Sequence, residues 1–247
     1  MNEIWVAHYS VDLWQEPSCW TDYFAEVQSL LGLSLTHLDS NDPLRRKVVS
    51  LAEAAEFACE FKPRESSRCL FGKLGRSGLG FELWQQRQIN RWPNRLLWYV
   101  PRSFAEKPEG WQRLKAMFNL GNRALKPFYA YCDELGQISS KKKKSGAVNI
   151  EAELLGVFWL TYFNASYVTF FGADKFNGFG GVEHGIDGGI TLTLGDNPML
   201  VTTGDREQVA TTLGRQTFVS HNDILGKPPG LFSLTFQQLQ DGAKLKR

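Results

Sequence analysis

The sequence predicts an α+β fold: a mixed, mainly antiparallel sheet with packed helices, in a single domain spanning residues 1–247. Two observations carry this expectation. Short β-branched and aromatic runs are interspersed with stretches of 3/4 apolar spacing, but without the regular strand–helix–strand interval of a doubly wound sheet. The apolar inventory is also large, with eight Trp and seventeen Phe. A chain of this length buries roughly 70–75% of its unfolded surface, so the core needs no covalent or metal staples.

The elements follow in order. Ile4 to Tyr9 reads as a first strand, apolar and aromatic with β-branched members. Trp20 to Leu31 carries Trp20, Tyr23, Phe24, Val27, Leu30 and Leu31 at helical spacing, with Ser18 or Thr21 as cap and Gly32 as stop. Asp42-Pro43 is expected to open a second helix reaching about Phe61, with Val48, Leu51, Ala55 and Ala58 inside. Gly72, Gly75, Gly78 and Gly80 predict a turn between Leu70 and Phe81, and Phe81–Trp84 and Leu96–Val100 form a strand pair. A long helix is expected from about Glu109 to Asp133, kinked or interrupted at Pro127. Residues 136–146, with QISSKKKKS between two glycines, read as an exposed loop or weak boundary. Beyond it the pattern predicts a buried strand at Val157–Phe163, a short helix, a Gly-rich stretch, a strand at Ile190–Leu194 and a helix near Asp205–Gly214. A last strand at Thr217–Ser220 and a polar tail complete the chain. No internal repeat is present.

Charge excludes little and favours little. The net charge is +2, and the basic excess before residue 151 is mostly the run Lys141 to Lys144. That run has no interleaved aromatics, so a single-strand nucleic-acid platform is not indicated and nucleic acid is not an expected partner. The four cysteines, Cys19, Cys59, Cys69 and Cys132, form no CxxC pair and read as reduced, mostly buried thiols. The opening MNEIWVAHYSVD has no basic segment ahead of an apolar run, and the longest apolar run is Leu154 to Leu160. Neither a secretory signal nor a membrane span is expected, which points to the cytoplasm.

Chemistry-bearing motifs are weak. Glu60-Phe61-Lys62, with Asp42 upstream, mimics the carboxylate-and-lysine set of a metal-dependent nuclease. Triplets of that form arise by chance, and a lysine at a helix end already suits the dipole, so no metal is assigned. His184 with Asp187, and His221 with Asp223, have short spacings but no third ligand. His8 sits in an aromatic strand and reads as a packed residue. GxSxG, HExxH and GxxxxGK[ST] are all absent, so no catalytic residue and no cofactor is assigned. The glycines of KLGRSGLG, with Lys73 and Arg76, suit a phosphate cradle or a strand-to-strand turn, and the turn is favoured. The segment from Asn177 to Gly189 has six glycines among Phe179, Glu183, His184 and Asp187. A mobile loop and a recognition loop fit it equally well.

The most informative stretch is WLTYFNASYVTFFG, Trp159 to Gly172. Val157 to Phe163 is apolar on both faces, as a central strand is. Asn164 can cap a helix on which Tyr167, Val168, Phe170 and Phe171 are spaced for packing, and Gly172 offers a stop. The succession Tyr162-Phe163-Asn164, then Tyr167-Val168, then Phe170-Phe171-Gly172 resembles a segment of bacterial immunity proteins of the immunity protein 52 family. Phe176 sits where that family continues into a further apolar turn. The resemblance covers Val157 to Phe176, and the remainder agrees in order of elements. It marks Trp159, Tyr162, Asn164, Tyr167, Phe170, Phe171 and Gly172 as structural.

What the resemblance implies is a non-enzymatic protein that binds a cognate toxin, often a nuclease-like effector of a contact-dependent or type VI secretion system. Binding needs a pre-formed surface and slow dissociation. Phe179, Glu183, His184 and Asp187 are the candidate toxin-contact residues, with Phe179 as apolar anchor and the carboxylates opposing a basic cleft.

Overall fold

The computed structural model describes residues 3–89, 92–141, 149–219 and 227–244. The fold is α+β, and every ladder between its named strands described here is antiparallel. The chain divides into two compact units, Asn2–Pro127 and Phe128–Arg247. The division therefore falls ahead of residues 136–146.

In the first unit, strands β1 (Glu3–Ser10), β2 (Leu35–Asp39), β3 (Ser67–Leu74), β4 (Leu79–Gln86) and β5 (Asn94–Pro101) lie in the order β2-β3-β4-β5-β1. Helices α1 (Pro17–Leu31), α2 (Leu51–Cys59), α3 (Arg102–Ala105) and α4 (Gly110–Leu125) accompany them. The stripe of α1 is buried at Trp20, Tyr23, Phe24, Val27 and Leu31, while Leu30, also expected inside, is only half-buried. Phe24 stacks on Phe81 at 5.6 Å, Phe81 meets Trp98 at 4.7 Å, and the Trp98 indole N–H donates to the Tyr23 hydroxyl at 3.0 Å. The α1 cap differs from expectation. Glu16 is the N-cap, without a side-chain bond, and Pro17 enters at the first turn, where its missing N–H costs nothing. Gly32 ends the helix in the left-handed region as expected (φ 64°).

Two further corrections concern this unit. The helix expected from Pro43 begins only at Leu51, capped by the Ser50 hydroxyl, which accepts the Glu53 N–H. Residues 43–49 are taken by other bonds. The Asp39 carboxylate accepts the N–H groups of Arg45 and Arg46, both at 2.9 Å, and the Val48 N–H donates to the Thr36 carbonyl at 3.0 Å. The long helix expected to reach Asp133 is interrupted ahead of Pro127, as expected, but it ends at Leu125 and gives way to a strand instead of resuming. Lys126, ahead of Pro127, cannot stay helical and turns left-handed (φ 45°). The glycines between β3 and β4 make a hairpin turn, which is the favoured reading of KLGRSGLG.

The second unit has strands β6 (Tyr129–Glu134), β7 (Leu160–Phe163), β8 (Val182–His184) and β9 (Ile190–Thr193), ordered β6-β7-β9-β8. Its helices are α5 (Leu135–Ser140), α6 (Ala165–Phe171), α7 (Thr203–Gly214) and α8 (Phe236–Lys244). Part of the expected 136–146 loop is thus helical, and 142–148 lie outside the described residues. Thr217 closes a short 3-10 turn, and Phe218 makes only a parallel bridge to Leu154, so the last expected strand is not formed over the described residues. The tail holds α8 instead. Among the thiols, Cys132 is buried, Cys59 and Cys69 half-buried, and Cys19 exposed.

One ion pair lies deep in this unit. Arg206 donates through Nε and Nη2 to the two Asp133 carboxylate oxygens, each at 2.9 Å, and through Nη1 to the Val201 carbonyl at 2.6 Å. Burial pushes the Asp133 carboxyl up, opposed by Arg206 and by the Trp159 and Glu134 N–H groups.

Candidate functional site

The 159–172 segment forms the strand, cap and helix expected of it. Leu160 to Phe163 pair with Cys132 to Tyr129 on one side and Thr193 to Ile190 on the other, which makes β7 internal to its sheet. The Asn164 side chain accepts the Tyr167 N–H at 3.0 Å, and Gly172 (φ 91°) follows the last turn. Tyr167 and Phe171 are buried, whereas Phe170 is 40% exposed. Phe163 lies 5.1 Å from Phe171 and 6.1 Å from Phe176, and Phe171 stacks on Phe218 at 6.0 Å. Trp159 is buried, with its indole N–H donated to the Gly195 carbonyl at 2.9 Å.

This frame carries the Gly-rich segment, which is an ordered hairpin and not a bare loop. β8 pairs with β9 through Val182–Leu192, Glu183–Thr191 and His184–Ile190. The turn is closed by the Gly185 N–H on the Gly189 carbonyl at 2.8 Å and the Gly188 N–H on the Gly185 carbonyl at 3.0 Å. Two glycines are required by close approach. A Cβ on Gly189 would stand 2.3 Å from the Tyr162 hydroxyl, and one on Gly181 would stand 2.1 Å from the Thr193 carbonyl.

The four candidate contact residues fall on this hairpin or its approach. Asp187 is exposed but anchored: one carboxylate oxygen accepts the Tyr162 hydroxyl at 2.6 Å and the other accepts the Gly189 N–H at 2.9 Å. Burial and the neighbouring Asp187 charge push the Tyr162 phenol well above its ordinary range, so it serves as a fixed donor. Glu183 and His184 are exposed on β8. Phe179 is half-buried, edge-on to the buried Phe176 at 6.5 Å. Sequence reasoning missed Ile186, whose side chain stands fully exposed at the hairpin tip. An isoleucine in the short run between Gly185 and Gly188 was the available signal.

The other candidates do not converge. Glu60 closes α2, and Lys62 lies in the turn beyond it, its backbone N–H donated to Glu65 at 2.8 Å. Asp42, Glu60 and Lys62 are each exposed. Among the described residues no group of three His, Cys, Asp or Glu side chains is placed to hold a metal ion. Lys141 is paired with Glu207, while Lys142 to Lys144, His221 and Asp223 lie outside the described residues. His8 is fully buried, as expected of a packed residue, and its Nε2–H donates to the Phe118 carbonyl at 3.2 Å. Among the described residues no helix is long and apolar enough to cross a membrane.

In sequence, the chain matches no family model and no curated protein. In structure, it is similar to the Pseudomonas aeruginosa T6SS protein PA0821. The TM-score is 0.60, with 96% of this chain and 80% of that chain covered, at 15% identity. That likeness is one of fold. The immunity protein 52 family expected from residues 157–176 is not shown by these comparisons.

Proposed function

We propose that this chain is an immunity protein of a type VI secretion setting, which binds a cognate toxin one-to-one in the cytoplasm of the producing cell and blocks it without chemistry of its own. The observation that carries the reading is the fold shared with a protein of that secretion system across 96% of the chain. The strand–cap–helix segment at 159–172 supports it. So does the pre-ordered β8–β9 hairpin, which presents Glu183, His184 and Ile186 to solvent and keeps Asp187 in place. Pre-ordering lowers the entropy cost of association, a property stoichiometric inhibition needs.

The test is co-expression with the product of the adjacent gene. A protected cell and a one-to-one complex on size exclusion support the proposal. A toxin that kills despite the protein, with no complex formed, rejects it.

A further inference from the structure

The bonds between β8 and β9 define which backbone groups of β8 face away from its sheet. Hydrogen bonding across β8 and β9 is fixed at both ends: the Thr193 N–H donates to the Gly181 carbonyl, and the Gly185 N–H donates to the Gly189 carbonyl, both at 2.8 Å. With Glu183 opposite Thr191 midway between them, residues 181, 183 and 185 turn their backbone groups toward β9. Antiparallel ladders alternate, so the N–H and C=O of Val182 and His184 point the other way. β8 ends the strand order of its sheet among the described residues. That is the template an added strand requires.

We infer that the outward edge of β8 takes an extended strand from a partner protein, carrying Lys or Arg opposite Glu183. The charge and register of the edge select this occupant. A second copy pairing through Val182 and His184 would set Glu183 directly against its own equivalent, at a position where Cα atoms approach to about 4.5 Å. Like charges directly opposite are destabilising, and an opposite charge there is favourable. A three-residue edge with a carboxylate at its centre resists indiscriminate pairing. The same carboxylate makes pairing with a basic strand selective. The fully exposed Ile186 at the tip then supplies apolar contact next to the backbone bonds.

This inference deepens the immunity reading by naming the partner's contacting chemistry, and it is tested apart from that reading. The probe is a blocked peptide alternating lysine and valine over about five residues, with a glutamate–valine peptide as control. Amide exchange of the full chain is followed by NMR. The lysine peptide is expected to slow exchange at Val182 and His184 by about tenfold near saturation, leaving Glu183 unchanged and the control peptide without effect. Glu183→Lys should exchange the two peptides' roles. Val182→Pro removes only an outward N–H and should abolish protection with little change in melting temperature. Equal protection by both peptides, or none at Val182 and His184, overturns the inference. Concentration-dependent protection without peptide would show self-pairing and overturns it too. With the toxin in hand, wild-type and Val182→Pro proteins that protect cells equally would sink the edge pairing and leave the immunity reading standing. A wild-type protein that fails to protect would sink the latter alone.

Discussion

The Tyr162 hydroxyl donates to the Asp187 carboxylate across 2.6 Å, tying an internal strand to the tip of an exposed hairpin. A residue first recognised as a fold marker thus positions a candidate contact residue. Tyr162→Phe keeps the ring and removes the donor. The expected result is faster amide exchange over residues 185–189 and a stability loss of about 1 kcal/mol, small because Asp187 remains open to water. Unchanged exchange in the hairpin would show that the bond does not hold it.

The Asp133–Arg206 pair is almost fully buried, at 0% and 1% side-chain exposure. Arg206→Met leaves a buried carboxylate without its cation and is expected to cost about 3–5 kcal/mol in urea unfolding. Asp133→Asn combined with Arg206→Met should recover part of that loss, because the stranded charge is gone. A single variant costing under about 1 kcal/mol would falsify this account.

His8 is fully buried, and desolvation lowers its pKa from 6.5 to about 4, against the Phe118 carbonyl bond, which raises it. The neutral ring is the folded form, so the unfolded chain binds the extra proton between these values. Stability from this group is complete above about pH 6.5 and falls as pH drops toward 4, by roughly 3 kcal/mol in all. Subtracting the pH profile of His8→Leu isolates this contribution from the carboxylates. Superimposable profiles would refute it.

Ile186 contacts solvent on all sides, so Ile186→Asp should change stability by less than about 0.5 kcal/mol. Under the proposed function it should weaken the toxin complex by at least about tenfold, read by calorimetry. Wild-type affinity in this variant would remove the hairpin tip from the interface.

Where elements rest on short-range pattern, the sequence was legible. The α1 stripe, the β4–β5 pair, the Asn164 cap and the Gly172 stop all stand where expected. Misreadings cluster where a side chain or a proline overrides the helical spacing. Asp39 captures the N–H groups of Arg45 and Arg46 and delays α2, and Pro127 separates α4 from a strand whose apolar residues also satisfy helical spacing. For the candidate site, composition singled out the Gly-rich segment, left a mobile loop and a recognition loop equally open, and gave no sign of the β8–β9 hairpin. The decision came from glycines fitted against Tyr162 and the Thr193 carbonyl.

By itself the sequence determined an α+β class, the local geometry of the 159–172 segment, and the lack of any common catalytic motif. These depend on periodicity, capping and spacing within a few residues. The tertiary structure alone decided that Tyr162 meets Asp187, 25 residues on, that Asp133 meets Arg206, 73 residues on, and that β8 stands last in its sheet among the described residues. Partners so distant in sequence leave no trace in local periodicity. They are chosen when strands pair and buried polar groups must find one another away from water.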